Sequence, residues 1–121
     1  MNKEQLKEIF DKTRGHCHFC GDKLAFNKYG YKKNSKTMGI WEADHIIQKG
    51  KGGIDSADNY LPACLYCNRL RWDRRGRDMR ELILFGLIAK EEIKKNSEIG
   101  NILLKLKKKR LKANLRRRKN E

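Results

Sequence analysis

The chain lacks a long apolar run and is short of acid. Its most apolar stretch, Leu82 to Ala89, falls far below the about 20 residues a membrane-spanning helix needs, so no membrane-embedded segment is expected. Met1 to Asp11 is mostly polar or charged and has no apolar centre of the kind an export signal carries. The expected setting is therefore intracellular rather than secreted: cytoplasm or nucleoid, or nucleus in a eukaryotic host. Hydrophobic residues are 38% of 121 and charged residues 37%, which leaves material for only a thin core. A chain of this length is one domain with at most an appended segment, and such small domains often need a metal or disulfide staple. Only 15 Asp and Glu stand against 30 Lys and Arg, a net charge of +15. A polyanion is the default partner, nucleic acid first and an anionic membrane surface second.

What the chain does have is two cysteine clips of identical spacing, Cys17-His18-Phe19-Cys20 and Cys64-Leu65-Tyr66-Cys67. Zinc takes four thiolates in a tetrahedron, and two such turns supply them. In a reducing compartment this spacing favours zinc over a pair of disulfides, the alternative pairing. A site closed by four thiolates keeps no open position, so its role is structural. His16, just before the first clip, and His18, inside it, are expected to be exposed or hydrogen-bonded rather than ligands.

The pattern along the chain reads as α+β. Residues 2–13 form a helix capped by Asn2, with Glu4 in its first turn and Leu6, Ile9 and Phe10 on one face. Gly21 to Gly39 is turn-rich and basic, a hairpin or variable loop around Tyr29-Gly30-Tyr31 and Lys32-Lys33-Asn34-Ser35. A strand over 38–43 delivers Asp44-His45 at its end, Lys49 to Gly53 is a glycine-rich loop, and Tyr60-Leu61-Pro62 is a second short strand. A helix then runs from the second clip through Arg69, Leu70 and Trp72 to Gly76. Beyond it, Asp78 caps a helix carrying Met79, Leu82, Ile83 and Phe85, which Gly86 interrupts. Ser97 caps another, with Ile99, Ile102, Leu103 and Leu106 at helical spacing. The expected division is 1–77 for the zinc-stapled unit and 78–121 for a strongly basic helical extension. Residues 101–121 alone hold ten Lys and Arg against one Glu.

Between the clips lie Asp44, His45 and Asn59, with Asn68 directly after the second. Phosphodiester cleavage needs a water made nucleophilic and charge neutralised on the phosphate and leaving oxygen. Neutral imidazole accepts a proton near pH 7. A hard cation such as Mg²⁺ takes one or two protein oxygens and fills its remaining positions with water and phosphate. Asp44 and Asn68 offer such oxygens. Neighbouring side chains of a strand point to opposite faces, so Asp44 and His45 need a local turn to converge or else flank a phosphate from two sides.

The ordered set Trp41-Glu42-Ala43-Asp44-His45-Ile46-Ile47, Gly52-Gly53, Asp58-Asn59-Tyr60-Leu61 and Cys64-Leu65-Tyr66-Cys67-Asn68 resembles the HNH endonuclease motif. It resembles the subgroup with a ββα-metal (His-Me finger) core and a four-cysteine zinc knuckle. The match spans residues 14–75, about half the chain. The resemblance implies that His45 is the general base and that Asp44 and Asn68 hold a catalytic Mg²⁺ or Mn²⁺. It also implies that Asn59 braces the loop and orients the base, and that Cys17, Cys20, Cys64 and Cys67 hold structural zinc. The family often has a proline shortly after the Asp-His pair, where this chain has Ile47-Gln48-Lys49.

The expected DNA contacts are Arg69, Arg71, Arg74 and Arg75 after the second clip, Lys49 and Lys51 in the loop, and the basic C-terminal helix. Trp41 and Trp72 read as core packing. Three functions compete: a metal-dependent DNA endonuclease, a non-catalytic zinc-stapled nucleic-acid-binding module, and a protein whose leucine-rich basic helix docks on another chain or a second copy.

Overall fold

In the computed structural model the backbone is described except for residues 32–37, 48, 74–75 and 120–121, and the side chains of 49, 72–73, 76–78 and 113–119 are likewise left aside. The architecture is α+β. Helix α1 (Lys3–Asp11) begins in a reciprocal capping box: the Asn2 side chain accepts from Gln5 N–H (2.8 Å) and the Gln5 side chain accepts from Asn2 N–H (3.0 Å). It ends where Arg14 (φ 53°) and Gly15 (φ 76°) turn the chain into the first clip. A Cβ on Gly15 would sit 2.6 Å from the Phe10 ring, so helix and clip meet where only glycine fits.

Strands β1 (Trp41–His45) and β2 (Tyr60–Cys64) form an antiparallel pair in register Trp41↔Cys64 through His45↔Tyr60. Residues 38–43 are thus not the strand expected; β1 starts three residues later and contains Asp44 and His45. The reason is packing: Trp41 anchors the strand start, fully buried, with rings of Phe10 at 5.4 Å and Tyr29 at 4.8 Å and its indole N–H donating to Phe26 carbonyl (3.2 Å). Ile9, Leu24, Tyr60, Ala63 and Cys17 complete this small core. Between Gly21 and Tyr31 the backbone makes a 3-10 turn (Phe26–Lys28) and single bridges His16↔Lys23 and Tyr29↔Trp41, not a hairpin. The rest of that expectation, at 32–37, lies outside the described residues, as does the Trp72 side chain.

Helix α2 (Leu65–Asp73) follows β2 directly, with Leu65 N–H donating to Ile40 carbonyl (3.3 Å). Helix α3 (Gly76–Lys94) corrects two expectations: Asp78 lies inside it rather than capping it, and Gly86 does not interrupt it. An interior glycine costs only about 1 kcal/mol against alanine, and 19 residues absorb that. Asn96 (φ 57°) then reverses the chain, and Ser97 Oγ accepts from Gly100 N–H (3.0 Å) at the start of helix α4 (Glu98–Lys119). The α3–α4 hairpin closes tightest at Gly100, where a Cβ would lie 2.1 Å from Glu92 carbonyl oxygen. Farther along α4, Arg110 donates to Cys20 carbonyl (2.9 Å) and pairs with Asp22 (2.6 Å), bringing the hairpin back onto the first clip. Among the described residues no helix is long and apolar enough to cross a membrane.

Gly100 gives a sign test of this crossing. Alanine in an unobstructed helix stabilises by about 1 kcal/mol. Here Gly100→Ala forces backbone apart, and overpacking of this kind destabilises by about 1–3 kcal/mol. Urea unfolding of the variant is expected to show a lower midpoint than the parent chain.

Candidate metal centres and active site

The first clip is a tight turn. Phe19 N–H reaches Cys17 Sγ (3.4 Å) and Gly21 N–H donates to Cys17 carbonyl (2.9 Å). The second clip straddles the β2–α2 junction, with Cys67 N–H on Cys64 Sγ (3.4 Å). These turns bring all four sulfurs within 4.8 Å of one another, and Cys20 Sγ lies 3.9 Å from Cys64 Sγ. Contact with Cys20 above all holds the Cys17 thiol below its ordinary range, while contact with Cys17 above all pushes Cys67 up. Soft donors at this spacing fit a tetrahedral zinc ion. Among the described residues no other group of three or more His, Cys, Asp or Glu side chains is placed to hold a metal.

The inner polar residues fall on the β1–α2 interface and on the loop after β1. Asp44 is buried, and its Oδ2 accepts from Arg71 Nη1 (2.5 Å) and His18 Nε2 (2.8 Å). Because a carboxylate only accepts, His18 carries its proton on Nε2. Arg71 also donates to His45 carbonyl (3.0 Å), and its guanidinium lies 5.7 Å from the Phe19 ring. Two residues inside the first clip therefore border the Asp44–Arg71 pair. Asp44 Oδ1 and His45 Nε2 are both buried with no hydrogen-bond partner among the described residues.

Asn68 Nδ2 donates to Glu42 Oε1 (3.2 Å). Glu42 and Asp44 share a face of β1, and Asn68 and Arg71 lie one turn apart on α2. Asp44 and Asn68 thus belong to the same strand–helix interface, each bonded across it. His45, on a regular strand, packs against Tyr60 with the rings tilted (centroids 4.4 Å, 43°), so no local turn swings it toward Asp44. Asn59 is buried and grips the loop on both sides: its Oδ1 accepts from Ile47 N–H (2.9 Å), while its Nδ2 donates to the carbonyls of Ile47 (2.9 Å) and Ile54 (2.8 Å). Its own carbonyl accepts from Ile46 N–H (2.8 Å).

Of the expected DNA contacts, Lys51 is exposed, whereas Arg71 is turned inward onto Asp44 and Arg69 Nε is buried. Arg74, Arg75 and the Lys49 side chain lie outside the described residues. Sequence reading missed His18 and Arg71 as partners of Asp44. The available signal was the i, i+3 spacing of Asn68 and Arg71 opposite a strand with acids at 42 and 44.

Two expectations follow. Structural zinc binding contributes about 10–16 kcal/mol in small zinc modules, as much as a domain's whole stability of about 5–15 kcal/mol. One zinc per chain is expected by elemental analysis, and Cys64→Ser or a strong chelator should remove the cooperative thermal transition. Separately, Tyr60 donates its hydroxyl to Asp55 (2.5 Å), and that hydrogen bond, then burial, push its pKa up to about 12 from 10.0. A raised pKa gives stability that is complete below pH 10 and fades as pH climbs through about 12. The gap in unfolding free energy between the parent chain and Tyr60→Phe should hold constant up to pH 10 and narrow above it.

Residues 17–74 match the family model described as HNH endonuclease. No curated protein and no solved structure matches the chain. The matched stretch begins at the first cysteine of one clip, ends beyond the second and takes in Asp44, His45, Asn59 and Asn68. Residues 17–74 are, on this match, an HNH endonuclease domain.

Proposed function

We propose that this protein is a divalent-metal-dependent endonuclease that hydrolyses phosphodiester bonds in DNA, with His45 as general base and a structural zinc on Cys17, Cys20, Cys64 and Cys67. The observation that supports the reading is that Asp44 Oδ1 and His45 Nε2, on adjacent residues of β1 inside the HNH match, are two of the five side-chain atoms among the described residues that are buried without a hydrogen-bond partner. Leaving a buried acceptor unbonded costs about 1–3 kcal/mol, a cost that fits atoms kept for a ligand and a proton. Asp44 and Asn68, on one strand–helix interface, carry oxygens of the kind Mg²⁺ or Mn²⁺ takes. Asp44 and Asn68 are its assigned protein ligands. The cation, when bound, neutralises charge on the scissile phosphate and the leaving oxygen.

The chain's own residues do the rest. His45 accepts the proton of the attacking water as the water oxygen bonds to phosphorus, the phosphorus–oxygen ester bond breaks, and the leaving oxygen takes up a proton. Asn59, by holding the peptides of 46–47 from two sides, fixes the backbone that follows His45. Arg71 neutralises Asp44 in this structure, and a role on phosphate requires it to exchange that carboxylate for a phosphate oxygen. Residues 1–77 are assigned the nuclease role and 78–121 the basic helical role. The boundary falls in the first turn of α3, and Arg110 ties the two parts together.

The test is nicking of supercoiled plasmid with Mg²⁺, Mn²⁺ or EDTA. Cleavage should need the divalent ion, and His45→Ala should lower it by at least about 100-fold while DNA binding and the unfolding midpoint stay near those of the parent chain. DNA binding without cleavage under every metal would instead identify a zinc-stapled nucleic-acid-binding module.

A further inference from the structure

The nuclease reading leaves α3 unused. Six of its apolar side chains, Leu82, Ile83, Leu84, Phe85, Leu87 and Ile88, are 37% to 65% exposed. Four of them are consecutive, so they point in every direction around the helix. A helix apolar on all sides belongs in an interior. The hairpin packs on α3 near Glu92 and Gly100, while on α4 Ile99, Ile102 and Leu106 make a second exposed stripe. With Met79 these side chains make a run of exposed apolar residues from 79 to 88, where an ordinary monomer scatters such residues singly.

We infer that the α3–α4 hairpin docks on a second copy of this chain, α3 against α3, as a two-fold symmetric helical dimer. Charge selects the occupant. The chain carries +15 overall, yet Gly76–Lys94 holds four basic and four acidic residues, net zero. Along α3, unlike along α4, two such chains approach without repulsion between like net charges, and α3 has no excess of positive charge for a phosphate backbone. An interfacial membrane helix is apolar on one face and basic on the other, which α3 is not.

Gly86 sits at the middle of the apolar stretch, and a Cβ there would meet nothing within 4 Å in the single chain. Within one copy the glycine only weakens the helix. At a two-fold crossing it lets the two backbones approach. An isologous contact of this kind closes on itself and gives a dimer.

The experiment is sedimentation velocity of the full, nuclease-treated chain from about 1 to about 100 μM in about 0.5 M salt, where exposed charges are screened. The expected result is a species of twice 14.3 kDa that dissociates on dilution. Phe85→Glu should weaken it at least about tenfold by placing a charge in the contact, and Gly86→Leu likewise by blocking the crossing. Both positions are exposed in the single chain, so far-UV circular dichroism should remain that of the parent. Lys108→Glu should leave the mass unchanged. A single 14.3 kDa species at every concentration would overturn the inference. So would a dimer that neither Phe85→Glu nor Gly86→Leu weakens, or a larger mass seen only with added DNA or anionic vesicles. None of these outcomes bears on plasmid cleavage, so the nuclease reading stands or falls separately.

Discussion

Cys17 and Cys20, on the turn after α1, are held within 4.8 Å of Cys64 and Cys67 at the β2–α2 junction. In a chain with this little core, that convergence decides where everything else goes. It is a long-range constraint, joining segments 44 residues apart at the Cys20–Cys64 contact, and ordering such a loop carries an entropic cost that scattered hydrophobic contacts would have to offset alone. The core supports it from below: Cys17 is itself buried beside Ile9, Trp41 and Ala63, so the sulfur cluster and the apolar cluster are one body.

The same convergence sets the electrostatics of the site. His18 and Phe19 lie between the first pair of cysteines, and the turn that brings those sulfurs together also sets His18 on Asp44 and Phe19 beneath the Arg71 guanidinium. A buried carboxylate without a partner is far more costly than a paired one. Asp44 is satisfied on Oδ2 by two donors and left bare on Oδ1. One side of the carboxylate thus fixes its orientation, and the donors that orient it come from the clip and from α2. Loss of the sulfur cluster would therefore disturb Asp44 through His18.

Much of this was legible in the sequence because the signals are local. Asn2 as a cap, the two clips, the Asp44-His45 pair near a strand end, Asn59 just before β2 and Ser97 as a cap all depend on residues within a few positions of one another. What was not legible depends on distance or on small energies. Arg71 reads as one more basic residue of a phosphate-binding face until the fold sets it against a carboxylate 27 positions away. His18 reads as a bystander of its clip for the same reason. Gly86 reads as a break, yet the cost of one interior glycine is small beside the hydrogen bonds of a 19-residue helix. Strand β1 was expected too early because Trp41, not Met38, is the residue the core buries; Met38 is 86% exposed.

Charge is divided along the chain as sharply as structure. The residues after α3 carry the densest positive run, and Arg110 on α4 reaches back to Asp22 beside the first clip, so basic surface and zinc-clip surface adjoin. Helix α3 between them is neutral and apolar. A polyanion drawn to the basic run has no electrostatic reason to cover α3, and a surface that buries α3 has no need to displace the polyanion. The two kinds of contact use different physics, screened attraction on one side and salt-insensitive burial on the other. Both can therefore operate on one small chain without competing for the same side chains.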